Sequence, residues 1–291
     1  MKRIFSVLAL IFVLIVGLAI PMAVPVTASP VTIDLPVTYR DFHGLGWGGS
    51  DGYSANPDFE YIIADDRGIV SAALGADKKP VYAGQPNTPT THGQTYFDQW
   101  YRDTANVNMT KNDTLTFTYD GTNYVYDNSS FFPIDNELLG NDGRNHNFHF
   151  TMELHSSFTY QTGQKLDVRG DDDVWVFINN NLAIDLGGVH PAETASIDLD
   201  TLGLTAGQTY DFDLFFAERH TTESSFRVVT NIGFIPPPPT PPPPPPPPPP
   251  TEVGGDIYSV SKAGLLTPLI ASAIILAAGT TILIWRRRAH N

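Results

Sequence analysis

Residues 170–190, "GDDDVWVFINNNLAIDLGGVH", contain the pattern that decides the fold. Three adjacent carboxylates, Asp171, Asp172 and Asp173, stand directly before the unbroken apolar run 174–178. The run predicts a buried strand, and the asparagines after it predict the turn of a hairpin. Adjacent carboxylates repel one another and resist desolvation. The aspartates therefore either lie in water or share a cation.

Further strands are indicated on both sides of this stretch. Residues 114–126, "TLTFTYDGTNYVY", place Leu115, Phe117 and Tyr119 on one face and offer a turn at Asp120-Gly121. Residues 209–220, "TYDFDLFFAERH", alternate in the same way. Helical spacing occurs in residues 94–107, "QTYFDQWYRDTANV". These patterns predict a mainly β fold, an antiparallel β-barrel or sandwich with one or two short helices.

The two ends of the chain predict a cell-surface location. Lys2 and Arg3 precede an apolar stretch and small residues at a cleavage site, which is typical of a secretory signal. An uncharged apolar stretch near the other end is long enough to span a bilayer, and arginines follow it on the predicted cytoplasmic side. The predicted divisions are signal peptide 1–28, ectodomain 29–235, polyproline stalk 236–251, linker 252–262, transmembrane helix 263–285 and cytoplasmic tail 286–291.

Composition limits the function of the predicted ectodomain. The chain has no cysteine, so packing or metal must stabilise the domain instead of disulfides. The formal net charge is −14, with 31 acidic against 17 basic residues, and five of the basic residues lie near the two ends. Nucleic acid is therefore a poor partner, whereas an acidic exported domain is either simply solvated or holds hard cations.

Five motifs, in this order, carry a resemblance to a known family: "NPDFE", "FDQWYRDT", "FFPID", "RGDDDVWVFINNNLAIDLGGVH" and "FFAERHTTESSFR". They resemble the fibro-slime domain, a branch of the PA14 β-barrel superfamily. That superfamily occurs in adhesins, in matrix and slime proteins, and as generally non-catalytic modules of glycosidases. In its sugar-binding members, an Asp-Asp pair joined by a cis peptide holds a Ca²⁺ that also touches ligand hydroxyls.

The resemblance assigns candidate site residues in this chain. Asp171, Asp172 and Asp173 contain the Asp-Asp motif and are the candidate Ca²⁺ ligands; a solvated acidic turn is the alternative. Asn179, Asn180 and His190 are candidate ligand-binding residues. For the asparagines the alternative is a plain type I′ turn, and for His190 it is a structural hydrogen-bonding role.

Catalytic motifs are not evident, and no enzymatic activity is expected. Glu218 either forms an acid/base couple with an aspartate or pairs structurally with Arg219. Two functions remain open. One is a Ca²⁺-assisted adhesin that binds an extracellular glycan or glycoprotein from a stalk. The other is a coat or matrix component that packs against neighbouring surface proteins. An exposed ring near the aspartates, with Trp47, Tyr53 and Trp175 as candidates, would favour the adhesin, although Trp175 lies in an apolar run typical of a core.

Overall fold

The computed structural model describes residues 31–47, 49–84 and 86–236. Within them the chain forms one short α-helix, α1 Gln94–Phe97, and one 3₁₀-helix, Leu199–Leu202. The strands are β1 Thr32–Phe42, β2 Ala64–Asp65, β3 Asn108–Tyr119, β4 Tyr124–Asn128, β5 Phe150–Thr159, β6 Lys165–Gly170, β7 Asp173–Ile178, β8 Asn181–Leu186, β9 Gly188–Val189, β10 Glu193–Asp198, β11 Thr209–Glu218, β12 Phe226–Thr230 and β13 Phe234–Ile235.

Eleven of these strands form one antiparallel sheet. Its order runs from β10 through β6, β12, β4, β3, β1, β5, β11 and β7 to β8, and β13 pairs with β5 beside this path. The two end strands, β10 and β8, contact each other, so the sheet is nearly closed into a barrel. Strands β2 and β9 form a separate small sheet. The expectation of a mainly β, antiparallel barrel with few helices is confirmed.

Both predicted hairpins are present. Strand β3 turns into β4 at Asp120 and Gly121, and Gly121 has a φ of 104°. Strand β7 turns into β8 at Asn179 and Asn180. On β3, Leu115 and Phe117 point into the barrel and are buried, whereas Tyr119 is exposed at the end of the strand.

The fold has two apolar cores, one on each face of β7 and β11. The barrel core lies inside the sheet and receives Val174, Val176 and Ile178 from β7. The outer core lies between the sheet and residues 42–107, and it receives Trp175 and Phe177 from the same strand. Burying one such side chain contributes about 1.5–3 kcal/mol. A strand covered on both faces reads as a continuous apolar run, which explains the sequence of β7.

The predicted helix over residues 94–107 is shorter in the structure. It ends at Phe97, after which Gln99 and Trp100 donate backbone hydrogen bonds to carbonyls three residues earlier. Phe97, Trp100 and Tyr101 are fully buried in the outer core. Their helical spacing therefore reflects a short helix continued by tighter turns.

Several predictions concern residues outside the described part of the chain. These are the signal peptide, the linker, the transmembrane helix, the cytoplasmic tail and, beyond Pro236, the stalk. In the described residues, no helix has the length and hydropathy of a membrane span.

Candidate functional site

Two of the three aspartates connect strands that do not pair with each other. Strand β6, which ends at Gly170, pairs with β10 and β12, whereas β7, which begins at Asp173, pairs with β11 and β8. Asp171 and Asp172 make the crossing between them. The crossing is tight. A Cβ at Gly170 would lie 2.1 Å from a methyl carbon of Val174, and the backbone at Asp172 has a positive φ of 63°. The crossing therefore places two carboxylates at one end of the barrel.

Asp173 is engaged in a buried ion pair. Its carboxylate accepts hydrogen bonds from Nε of Arg219 at 2.6 Å, from Nη2 of Arg219 at 3.1 Å and from the backbone N–H of Gly188 at 2.7 Å. Both side chains are fully buried. The guanidinium also lies 4.6 Å from the ring centre of Trp100 and donates to the carbonyl of Thr90 at 2.9 Å. These contacts give Asp173 a structural role that joins the sheet to the outer core.

Asp171 and Asp172 resist ionisation. The carboxylate of Asp172 accepts the backbone N–H of Arg219 at 2.7 Å and that of His190 at 3.2 Å. Burial nevertheless raises the pKa of Asp172 to about 7, although the charge of Arg219 opposes the shift. Burial, followed by the charge of Glu223, raises the pKa of Asp171 to about 6. A cation placed between these carboxylates would stabilise their charged forms.

A cavity of about 160 Å³ opens beside these two aspartates and is called the aspartate pocket here. Its wall also includes Ile63, whose side chain is among the most exposed large apolar ones in the described chain. The polar residues that line the pocket are Asp171, Asp172, His190, His220, Thr221, Thr222 and Glu223. The pocket thus combines acceptor carboxylates with an exposed apolar rim.

Glu218, at the end of β11, is a buried carboxylate without a partner. Its side chain is fully buried, and neither oxygen has a hydrogen-bond partner in the described part of the chain. Burial, and then the charge of Asp172, raise its pKa well above the usual value, although the neighbouring hydroxyl of Ser224 opposes the shift. The structural pairing with Arg219 considered from the sequence is absent, because neighbouring strand residues point to opposite faces and Arg219 pairs with Asp173.

The carboxylates beside the aspartate pocket fit Ca²⁺ in chemistry but are not gathered around a common point. Asp171, Asp172 and Glu218 offer the hard oxygen donors that Ca²⁺ prefers, and the unpaired oxygens of Glu218 gain most from a cation. No group of three His, Cys, Asp or Glu side chains in the described residues converges as a metal site. The cis peptide implied by the resemblance is also not between the aspartates; the cis bond in this part of the chain joins Thr221 and Thr222.

His190 lines the aspartate pocket, and its ring contacts backbone carbonyls of the same loop. Its Nδ1 lies 3.0 Å from the carbonyl oxygen of Pro191 and its Nε2 lies 3.3 Å from that of Leu186. Burial opposes protonation of the ring, but the carbonyl of Pro191 and the charge of Asp173 raise its pKa. The ring holds the loop that presents the backbone N–H of His190 to Asp172.

Asn179 and Asn180 lie at the opposite end of β7 from Asp171 and Asp172. Both have positive φ values, 51° and 67°, as a type I′ turn requires. The Asn180 carbonyl accepts the backbone N–H of Leu74, which docks the turn on the segment that covers the outer core. The structure therefore does not bring these asparagines to the aspartate pocket.

The aromatic residues singled out in the sequence lie elsewhere too. Trp175 is fully buried in the outer core, and its Nε1 donates to Asp185 at 2.8 Å. Trp47 stacks on the ring of His43 at 4.1 Å between ring centres. Trp47, Tyr53 and Trp175 do not line the aspartate pocket. None of the three therefore provides an exposed ring beside the aspartates.

A set of buried histidines adjoins the pocket and is called the histidine cluster here. Asp142 contacts Nδ1 of His43 at 2.6 Å and Nδ1 of His149 at 3.0 Å. The other ring nitrogen of His149 lies 2.9 Å from Glu60. Glu60 in turn accepts a 2.9 Å hydrogen bond from Thr221, which lines the pocket. The cluster ties three loops to the pocket wall.

Part of the chain matches a known protein family, and the matched part contains most of the residues that line the aspartate pocket. Residues 144–234 match the model of the PA14 domain, and this range contains every polar residue that lines the aspartate pocket. The resemblance to PA14 is thereby confirmed for this range, whereas the fibro-slime branch stays a prediction.

The chain is also related to the psi proteins of Dictyostelium discoideum. It is 42% identical to protein psiR over 200 residues, which cover 62% of this chain and 20% of psiR. It is 39% identical to protein psiJ over 227 residues, which cover 68% of this chain and 30% of psiJ. The chain thus spans less than a third of either relative.

Among solved structures, a PA14 sugar-binding domain from an RTX adhesin is 12% identical and has a TM-score of 0.29, with 60% of this chain and 96% of that one covered. At this TM-score the likeness says nothing about the ligand of the present chain.

Proposed function

We propose that residues 29–235 form a non-catalytic binding module of a cell-surface protein, and that the aspartate pocket binds a carbohydrate or the glycan of a glycoprotein with the help of Ca²⁺. The observation that supports this most directly is that Asp171 and Asp172 line the aspartate pocket, while burial raises the pKa of the Glu218 carboxylate, which lies near enough for their charges to raise it further. Buried carboxylates without partners cost stability, so a site that retains them gains from a ligand that pairs them.

The size and chemistry of the pocket suit a small hydroxylated ligand. A volume of about 160 Å³ is below the range of roughly 300–1,000 Å³ typical of sites for drug-sized molecules. Sugar hydroxyls donate to carboxylate oxygens, and such charge-assisted hydrogen bonds are about twice as strong as neutral ones. The exposed side chain of Ile63 offers an apolar surface for the C–H face of the same sugar.

Asp171, Asp172 and Glu218 would supply oxygens to Ca²⁺, and because they do not converge on one point in the described residues, their side chains would have to turn toward the ion. When bound, it supplies positive charge that offsets their repulsion and a coordination shell that accepts ligand oxygens. Asp173 is left out of this set because Arg219 and Gly188 already occupy its oxygens.

Presentation at the cell surface is the second part of the proposal. It rests on the signal pattern in residues 1–28, the apolar stretch 263–285 and the arginines that follow it. A polyproline II stalk over residues 236–250 would span on the order of 45 Å at about 3.1 Å per residue. Such a spacer would hold the binding module away from the membrane.

A glycan array tests the proposed binding. The full chain, purified in mild detergent, is applied with Ca²⁺ and with a chelator. We expect selective glycan binding with Ca²⁺ and its loss with the chelator. Asp172→Asn removes one anionic donor while preserving its shape, and it should abolish binding. The matched variant Asp34→Asn changes an exposed carboxylate on β1 and should bind as the parent does.

Two outcomes would contradict the proposal. A folded chain that binds no glycan under either condition would favour the coat or matrix function instead. Equal glycan binding with Ca²⁺ and with chelator would show that Ca²⁺ does not assist the binding.

A further inference from the structure

A second cavity adjoins the aspartate pocket. It has a volume of about 570 Å³ and is called the side cleft here. Asp171, Thr222 and Glu223 line both cavities, so the two lie side by side and share one wall. Any ligand seated against Asp171 therefore has open space beside it in the direction of the side cleft.

A buried hydroxyl at the side cleft has no partner. Ser225 lines the cavity and is only 8% exposed. Its Oγ has no hydrogen-bond partner in the described part of the chain. Buried hydroxyls are normally satisfied, so this one indicates a site that a polar ligand completes.

The positive groups of the side cleft are already neutralised. Arg169 donates to Asp127 at 2.9 Å, and Nδ1 of His146 lies 2.6 Å from Asp135. With Asp171 and Glu223 on the shared wall, the cleft holds no unpaired cation among its described residues. The arrangement suits a neutral, hydroxyl-rich group and disfavours a phosphate, a sulfate or a uronic acid.

A flat ring lies at the side of the cleft. The imidazole of His146 stacks on Phe132 with ring centres 4.0 Å apart and planes 8° apart, and its side chain remains 38% exposed. One ring face is thus covered while part of the ring stays accessible. A ring held flat in this way offers a packing surface for the apolar face of a sugar.

We infer that the aspartate pocket and the side cleft form one elongated groove, and that its ligand is a neutral oligosaccharide of at least two sugar residues. One residue meets Asp171 and Asp172, and the next lies in the side cleft against His146 and Ser225. This inference rests on the proposed carbohydrate-binding function and adds the length and charge of the glycan.

Matched pairs of sugars test the inference on the full chain in detergent with Ca²⁺. Titration calorimetry compares mannose with α1,2-mannobiose, galactose with lactose, and glucose with cellobiose. For at least one pair we expect the disaccharide to bind about tenfold more tightly than its own monosaccharide. Ser225→Ala removes one donor and should weaken disaccharide binding by roughly fivefold, with monosaccharide binding unchanged.

A blocking variant gives a sharper comparison. Ala192→Tyr places a large side chain at an exposed position that lines the side cleft, and it should reduce the affinity for the disaccharide to that for the monosaccharide. The control Ala206→Tyr makes the same change at an exposed position outside the cleft and should leave both affinities unchanged.

The failure of this inference differs from the failure of the proposed function. Equal affinity for both members of every pair, or disaccharide binding unaffected by Ala192→Tyr, would overturn the side cleft as a subsite while monosaccharide binding still supports the pocket. If no sugar of either length binds, the proposed function fails and the elongated groove fails with it.

Discussion

Replacing Arg219 tests whether the ion pair with Asp173 holds the barrel to the outer core. Arg219→Met keeps the length of the side chain but removes its charge and its hydrogen bonds to Asp173 and Thr90. It leaves Asp173 fully buried without a counter-charge. Breaking one partner of a buried pair typically costs about 3–5 kcal/mol.

For a domain of this size, each kcal/mol lowers the melting temperature by about 2–4 °C. Arg219→Met should therefore lower the melting temperature by roughly 6–20 °C, as measured by calorimetry. Urea unfolding of the same protein measures the loss in free energy of unfolding directly. The double variant Asp173→Asn with Arg219→Met should recover part of the loss, because no uncompensated charge remains.

A control variant separates burial from charge. Arg102 forms a 2.9 Å pair with Asp77 on the surface, where the two side chains are 32% and 50% exposed. Arg102→Met should cost at most about 1 kcal/mol. The reasoning would be refuted if Arg219→Met were as mild as Arg102→Met, since Asp173 would then not depend on Arg219.

Two further predictions concern a glycine and the histidine cluster. A Cβ at Gly188 would lie 2.5 Å from backbone atoms of β2 and of the residue after it, and Gly188 has a φ of 124°. Gly121 also has a positive φ, 104°, but a Cβ there would meet open space, so Gly188→Ala should lower the melting temperature far more than Gly121→Ala. Similar losses in the two variants would show that backbone strain, and not the close contacts of Gly188, decides the effect. In the histidine cluster, burial opposes protonation of His149, but Asp142 and Glu60 outweigh it and raise its pKa, so its stabilisation is full below about pH 6.5 and is lost as pH rises through the raised value. The pKa of Glu60 is lowered to about 2 despite burial, chiefly by the hydrogen bond with His149, so its stabilisation is lost as pH falls below about 4.5 toward 2. The difference in melting temperature between the parent and His149→Gln should accordingly be largest between about pH 4.5 and 6.5, and a difference independent of pH would contradict this charge pairing.

Local patterns were sufficient to predict both hairpins and strand β11. Alternation on β3 and the unbroken run on β7 follow directly from which faces are buried, and Asn179-Asn180 match the backbone of the turn between β7 and β8. The second core was not predicted, because it depends on residues 42–107 returning across the outside of the sheet. That long-range packing also explains why β11 buries Asp213 and Phe215 as well as its inward residues.

The candidate site was only partly predictable for the same reason. The adjacency of Asp171, Asp172 and Asp173 indicated a charged site, but their separate directions depend on a crossing between β6 and β7, which pair with different strands. Arg219, which neutralises Asp173, is distant from it in sequence and directly follows the last residue of β11. Nothing local to Glu218 signals that its carboxylate is buried without a partner, although its motif, "AERH", formed part of the family resemblance.

The most direct test of the Ca²⁺-assisted pocket is calorimetric unfolding of the full chain with Ca²⁺ and with a chelator, at fixed pH and ionic strength. An ion that binds only the folded state stabilises it by about 2.7 kcal/mol at a hundredfold excess over its dissociation constant. The account predicts a higher melting temperature with Ca²⁺, loss of most of that increase in Asp172→Asn, and its retention in Asp34→Asn. Identical unfolding of the parent chain with Ca²⁺ and with chelator would contradict it, and would leave Asp171 and Asp172 as an acidic crossing in a barrel that binds no metal.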